Sequence, residues 1–594
     1  MARNKLFTSI NKALLGVLAA AVIPTVVSAA PIPGEASVGA VQQEVSRKPE
    51  ARKLKVPAIE VRESVRPAMT APDGFRVRVN SVVFSGNTAI PADRLLPVVA
   101  DDLGKDMSFA DLLKVADKVT AFYRGNGFLV ARAYIPQQEI SGGQIEIAVL
   151  EGRIGEVSLT GLDGIDDEII ASNTATMKEG RVLRGDDLER ALLLLNDMAG
   201  LEARASLAPG AGVGTTNVRI DGKPTPDYDY VLDVNNFGSQ YTGRYRFGAT
   251  VNANNIGGRG DQLSLRGLIS EGFETSYVSA SYATPIDDFI PLHEWMPAWM
   301  NVKPGGTKFN ISASRMDYEA SQGQNLGGAQ ITGGGTTVSL GLTHAFKRSR
   351  DHNLVGQIRY DHKNLSQEIF GSPTKSDDRL RVLTIGLNGD KHDHYMGGGL
   401  TTYSGSLSFG IPNFLDGLGA TSYDPDRPNS GGEFTKLNFE GARLQRISNI
   451  MSVYLRGAAQ YSGYHLVSNE QFSLGGPSGV RAYTQGVGLG DDGWLLSAEA
   501  RWQMPTYELG KRAGIDTAQF IAFLDRGASI VHNPEPGNDV RFDLGAFGLG
   551  LNLAHSDDIS VKLSHAWTLD VGEDDVASTT GDRRFWLQAV KWFD

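Results

Sequence analysis

The chain has 594 residues, too many for one ordinary domain, with 57 Lys and Arg against 68 Asp and Glu and a formal net charge of −11. That balance argues against nucleic acid as the main partner, and the absence of cysteine removes disulfides and thiolate metal sites. After residue 30 no run of about 18 apolar residues occurs, which predicts no membrane-crossing helix, although a β-barrel crosses a bilayer with alternating residues and low hydropathy.

Arg3, Lys5 and Lys12 precede an apolar run over 13–27, and Val27-Ser28-Ala29 or Ser28-Ala29-Ala30 offers small residues for cleavage. Residues 1–30 read as a secretory signal peptide, because a membrane anchor needs a longer span. Residues 31–73 are rich in Pro, Ala, Glu, Arg and Lys and read as a mobile linker, with a weak helical pattern over 39–48.

A valine-rich run over 76–84 ends in Ser85-Gly86-Asn87, a strand followed by a turn. Ser108 and Asp111 form a capping-box pattern, and Leu112, Val115, Val119 and Phe122 follow at helical spacing. Strands are predicted over 128–135 and 144–150. The order recurs about 75 residues later, with strands at 156–161, 203–207 and 215–220 and helices over 167–177 and 186–199. The expected units are 74–152 and 153–223.

Phe84-Ser-Gly-Asn-Thr88, Tyr123-Arg-Gly-Asn-Gly127, Ala131-Arg-Ala-Tyr-Ile-Pro136 and Glu151-Gly-Arg-Ile154 resemble the POTRA domains of two-partner secretion (TpsB) transporters of the Gram-negative outer membrane. The resemblance covers essentially the whole chain. It implies a membrane β-barrel of about sixteen antiparallel strands preceded by two α+β POTRA domains in the periplasm.

Residues 224–594 carry the matching pattern. Leu383, Ile385 and Leu387 alternate with Thr384, Gly386 and Asn388; Leu496, Ala498, Ala500 and Trp502 with Ser497, Glu499 and Arg501; Ile559, Val561 and Leu563 with Ser560, Lys562 and Ser564. One face suits lipid and the other a wet lumen. Sixteen strands are expected to start near Tyr228, Thr242, Gln262, Glu274, Thr307, Gly334, Asn353, Arg379, Gly397, Gly432, Met451, Trp494, Thr517, Phe542, Asp558 and Arg584. Segments 318–333, 365–378, 413–430 and 463–493 then lie outside the cell or fold inward. The connection 285–307, with Trp295 and Trp299, reads as an insertion at the membrane interface. The last aromatic, Phe593, stands one residue before the end.

Within 463–493, four glycines and a proline in Gly475–Gly486 forbid regular structure, yet Val480, Arg481, Ala482 and Tyr483 group one cation with apolar residues. Such a loop suits an interior where Arg481 meets an acid, and Asp525, between Phe523 and Gly527 on one strand face, is the candidate. The resemblance implies the same. In these transporters a Val-Arg-Gly-Tyr loop folds into the barrel, and its arginine meets the aspartate of a Phe-x-Asp-x-Gly strand. Val480, Arg481 and Tyr483 match the first motif, and Phe523, Asp525 and Gly527 the second. Ala482 replaces the family glycine, which matters only if φ is positive there.

No catalytic constellation appears: there is no His-Glu-x-x-His, and no Gly-x-Ser-x-Gly elbow. Gly333-Gly334-Gly335 read as a turn, and Asp491-Asp492 and Asp574-Asp575 as solvated loop acids. The reading is therefore a pore, not an enzyme, needing no cofactor, metal or ATP. The implied partners are a large secreted protein with an N-terminal secretion domain, outer-membrane lipid, and, for biogenesis, the barrel assembly machinery and periplasmic chaperones. An assembly factor of the same superfamily is the alternative, but it would carry more POTRA repeats.

Overall fold

The computed structural model describes residues 34–49, 59–61, 74–320, 330–370, 375–419, 430–506, 510, 514–532, 540–555, 558–569 and 583–593. The expected signal peptide, much of the expected linker and Asp574-Asp575 lie outside these residues.

The first α/β unit builds a sheet from Ser81–Ser85, Gln144–Leu150 and Arg132–Tyr134, with helices Ala92–Val99 and Phe109–Gly125 packed on it. The long helix starts at a reciprocal cap, in which Asp111 N donates to Ser108 Oγ and Ser108 N donates to Asp111 Oδ2. Hydrogen bonds from Ser108, then Lys114, hold the Asp111 carboxyl down at about 2. Its buried face, Leu112, Val115, Ala116, Val119 and Tyr123, closes a core with Ile145, Ile147 and Val149.

The second unit repeats the order. Strands Arg153–Thr160, Thr215–Pro224 and Leu201–Pro209 carry helices Asp167–Thr174 and Gly185–Asn196, and Leu188, Leu192 and Leu195 of the last helix are fully buried. This unit is fastened to the near end of the barrel. Arg348 forms a bidentate pair with Asp197, and Arg190 donates to the carbonyls of Gly305 and Ala345. Burial pulls the Arg190 guanidinium down to about 10.

Sixteen antiparallel strands among the described residues close a barrel, the first, Tyr228–Asn235, pairing with the last, Arg583–Phe593. The alternation selects the faces: Ile385, Leu387, Leu496 and Leu524 are exposed on the outside, and Thr384, Ser497 and Glu499 are buried inside. Most strand starts fall within a few residues of those expected. The second begins at Arg246 rather than Thr242, because Ser239 and Thr242 hydrogen-bond their hydroxyls in a turn that Gly243 closes at φ 83°.

Two expectations are corrected. Segments 318–333 and 365–378 are entered from both ends by long strand pairs, Thr307–Ala320 with Ile331–Lys347 and His352–Ile369 with Lys375–Asp393. Gly333, Gly334 and Gly335 lie within a strand, not a turn, and a Cβ on Gly333 would stand 2.3 Å from the Tyr318 ring opposite. Gly333 and Gly335 clear room for the buried side chains of Tyr318 and Leu365.

The second correction concerns the linker, expected to be mobile. Its weak helical pattern over 39–48 is a helix, Val38–Val45, capped by Ser37, which accepts from Ala40 N at 3.3 Å. It sits inside the barrel. Val38, Val41 and Val45 recur on one face and pack with Leu268, Tyr277, Met316, Tyr318 and Leu365. A segment with this apolar stripe gains more from the lumen wall than from water. Ile59–Val61, in the same expected linker, is a strand of the second unit's sheet. The connection 285–307 contains a short helix, Leu292–Trp295, and exposes Trp295 and Trp299.

The helix is held by close approach as well as by apolar contact, since a Cβ on Gly39 would stand 2.2 Å from the Asn469 backbone nitrogen. Gly39→Leu is expected to expel it. Overpacking costs of ~1–3 kcal/mol correspond to a rise of about five-fold to about 150-fold in the displaced population. A cysteine at Val41 in this cysteine-free chain should then react about ten-fold faster with a membrane-impermeant maleimide.

Candidate functional site

The segment between the eleventh barrel strand, Met451–Tyr461, and the twelfth, Asp492–Met504, does not stand out in solvent. It folds back through the lumen, and Leu474, Val480, Ala482 and Tyr483 are buried against Ile521, Phe523, Leu544, Ala546 and Ala566 of the wall. Polar turn residues would not carry a chain inward, but this apolar group does, provided that its one cation is satisfied.

The cation is Arg481. Its Nε donates to Asp525 Oδ2 at 2.8 Å, and its Nη2 to Asp525 Oδ1 at 2.7 Å. Its backbone N–H reaches the same carboxylate at 3.2 Å. Nη1 pairs with Glu499 at 2.7 Å, and Nη2 also reaches Ser497 Oγ at 3.1 Å. The guanidinium carbon stands 3.5 Å from the Phe523 ring centroid, a cation–π contact. Trp586 Nε1, from the last strand, donates to the Arg481 carbonyl at 2.7 Å. The side chain is 12% exposed and that of Asp525 is 0% exposed.

The register explains the arrangement. The thirteenth strand, Thr517–Val531, pairs Asp525 with Ser497 and Phe523 with Glu499, so ring, acids and hydroxyl share one inward patch. Gly527 lies opposite Leu495, and a Cβ there would meet Leu474 of the loop at 2.5 Å. Ala482 is not among the residues with positive φ, so the alanine fits without strain. The structure thus brings together Val480, Arg481, Tyr483, Phe523, Asp525 and Gly527.

Several partners were missed by the sequence reading. Glu499, Ser497 and Trp586 had the signal, since the first two stand on the polar face of an alternating strand. Glu470, at the root of the loop, had none. It is buried between Lys363 and Lys436, each at 2.7 Å, on the seventh and tenth strands. Asp491 corrects the expectation of a solvated acid. It is fully buried and accepts from Leu466 N, His532 N and Gln471 Nε2, with His465 Nδ1 at 3.1 Å. Asp491 thereby satisfies the loop amide of Leu466 and ties the loop to the chain just past the thirteenth strand at His532. Asp492 meets His532 at 3.0 Å.

The loop also holds the lumen helix. Gln43 Nε2 donates to the carbonyls of Asn469 and Gln471, and Thr484 hydrogen-bonds Glu35. On the opposite wall, Glu44 pairs with Arg246 at 2.8 Å and Tyr318 donates to the Ala36 carbonyl. Loop, helix and wall form one charge-balanced filling. Among the described residues no His, Cys, Asp or Glu cluster suits a metal ion.

Arg481→Ala leaves the fully buried Asp525 without a cation, whereas Glu499 keeps Arg501 at 2.6 Å, and breaking a buried pair costs ~3–5 kcal/mol. It is expected to free the loop and reduce export into the medium, while the barrel still shows its heat-modifiable gel shift. Lysine there should recover only part, since an ammonium lacks the planar fork. Unchanged export by Arg481→Ala would contradict this role.

Residues 214–553 match the family model "Haemolysin secretion/activation protein ShlB/FhaC/HecB", and residues 77–152 match the ShlB-type POTRA domain. The chain is 26% identical to the heme/hemopexin transporter protein HuxB of Haemophilus influenzae, over 87% of each chain. It is 25% identical to the outer membrane transporter CdiB of Escherichia coli, over 80% of this chain and 77% of that one. The solved structure of CdiB from Escherichia coli superposes with a TM-score of 0.67 at 21% identity, covering 89% of this chain and 93% of the other. CdiB from Acinetobacter baumannii gives 0.58 at 15% identity, covering 93% and 96%. The chain therefore belongs to the ShlB/FhaC/HecB family of two-partner secretion transporters, outer-membrane β-barrels with periplasmic POTRA domains that export a secreted partner protein.

Proposed function

We propose that the two α/β units, 74–152 and 153–223, act as a tandem POTRA receptor. In this reading they take up the exported protein as an extended chain in the periplasm, and the barrel lumen passes it once loop and helix step aside. The observation that carries the reading is the filling itself. A lumen lined by Lys363, Lys436, Arg246, Glu499 and Asp525 is a polar conduit, and it is closed here by two segments of the chain, each held by polar contacts beside its apolar packing.

The partner is a large secreted protein with an N-terminal secretion domain. No nucleotide is required. The glycine run that comes nearest to a phosphate loop is strand, and folding outside or binding supplies the direction of transport. Residues 1–30 act as the signal peptide, and the barrel assembly machinery and periplasmic chaperones deliver the chain to the outer membrane. Trp295 and Trp299, 65% and 83% exposed, dip into the inner lipid interface.

Deleting 75–152 is expected to leave the barrel assembled and to abolish export; normal levels of the partner in the medium would contradict the receptor reading. Purified protein in a planar bilayer is expected to conduct ions in small, fluctuating steps, because the lumen is polar but filled. A wide, steady conductance would contradict the filling.

A further inference from the structure

Between the fourth barrel strand, Thr275–Pro285, and the fifth, Thr307–Ala320, the chain takes 21 residues, 286–306, to turn at the periplasmic end. The neighbouring connections at that end take seven residues, 255–261, and four, 348–351. The surplus is compact. Pro291 and Pro297 open two short turns, Leu292–Trp295 and Ala298–Met300. Their amides are used locally, with Met296 N donating to the Leu292 carbonyl at 3.0 Å and Met300 N to the Pro297 carbonyl at 2.9 Å.

One side of the segment is aromatic and bare. Phe289 is 71% exposed, and Trp295 and Trp299 are bare beside it. A patch of this kind marks a contact with a membrane or a protein. Lipid is the occupant that the surroundings supply. The two strands that carry the segment expose Val278 and Ile311 on the barrel's lipid face, so the patch continues an apolar belt already in the bilayer. Indole rings favour the edge of such a belt.

The other side is polar and holds the second α/β unit. Arg259 Nη2 donates to both oxygens of Asp288, at 2.6 and 2.7 Å. Its Nη1 reaches Asp166, the cap of helix Asp167–Thr174, at 3.3 Å. Lys303 pairs with Asp187 of helix Gly185–Asn196 at 2.7 Å. Gly305 and Gly306 take φ of 79° and 87° and lie close against the same two helices. A Cβ on Gly305 would stand 2.9 Å from Asn173 Cα, and one on Gly306 2.9 Å from Leu194 Cδ2. Glycine suits both the backbone conformation and the approach. Units joined by a polar interface move relative to one another unless something further fixes them.

Resting on the transporter reading above, we infer that 285–307 is a membrane-seated bracket for the receptor. Phe289, Trp295 and Trp299 rest at the headgroup boundary of the inner leaflet. Asp288, Lys303 and the two glycines carry that fixed height to the second unit. The bilayer thereby sets the angle at which the receptor stands below the lumen. Without the lipid contact, bracket and unit swing together about the strand ends at Pro285 and Thr307.

The test uses the full chain, free of cysteine, in nanodiscs of phosphatidylethanolamine and phosphatidylglycerol. A nitroxide on Ala298→Cys, beside Trp299, is compared with one on Glu179→Cys, an exposed residue of the second unit. The first is expected to be about ten-fold less accessible to a water-soluble nickel chelate, while oxygen still relaxes it. Equal nickel accessibility at the two sites overturns the inference. Pulsed EPR then measures the distance between labels on Glu179→Cys and Asn449→Cys, the latter exposed in another periplasmic turn. Trp295→Ser with Trp299→Ser should broaden that distribution about two-fold, in a barrel that keeps its heat-modifiable gel shift. An unchanged distribution overturns the bracket. Neither measurement involves export, so a chain that passes both and exports nothing contradicts the transporter reading and leaves the bracket standing.

Discussion

The arrangement inside the barrel depends on one guanidinium. Arg481 is carried into the lumen by a loop whose other buried residues are apolar, and it stays because three kinds of partner meet it there. Asp525 takes it in a bidentate grip, Glu499 takes the remaining fork, and the Phe523 ring covers its face. No single surface pair would suffice, since exposed pairs contribute ~0–1 kcal/mol. Here all the carboxylates are at least nine-tenths buried, so the same contacts are both stronger and costlier to break.

Around that point the lumen balances its charges in separate groups. Glu470 with Lys363 and Lys436 fixes the loop root to the seventh and tenth strands, Asp491 accepts from Leu466 N of the loop and from His532 N beyond the thirteenth strand, and Glu44 with Arg246 fixes the helix. The ladder that closes the wall is made by backbone groups from strand to strand and does not pass through these side chains. The lumen is polar because alternate residues of every strand face it, and the outside is apolar for the same reason.

The fold was legible because period-two alternation acts locally: each strand's two faces are written in its own residues, so strand starts came within a few residues. The pairing of Arg481 with Asp525 was legible for a different reason, as a lone cation among Val480, Ala482 and Tyr483 needs an acid, and Phe523, Asp525 and Gly527 share a face. What was not legible depends on distant partners. The helical pattern over 39–48 showed, but not its seat in the lumen, which is lined by Tyr318, Met316 and Leu365, far along the chain. Asp491 and Glu470 look like ordinary loop acids until the loop is seen to turn inward. Gly333–Gly335 look like a turn because glycine ends strands more often than it clears space within them.

If the guanidinium is the fastening point, its loss and the loss of its acid should be the same event. Native-state hydrogen exchange of the full chain can measure this on the loop amides of Val480 and Tyr483, which donate to Leu474 and Val480 carbonyls. The comparison is a cycle of Arg481→Ala, Asp525→Ala and the double variant. Each single change should strip the loop of protection, and the second should add little to the first. Opening free energies that simply add, leaving no coupling between the two positions, would contradict the account.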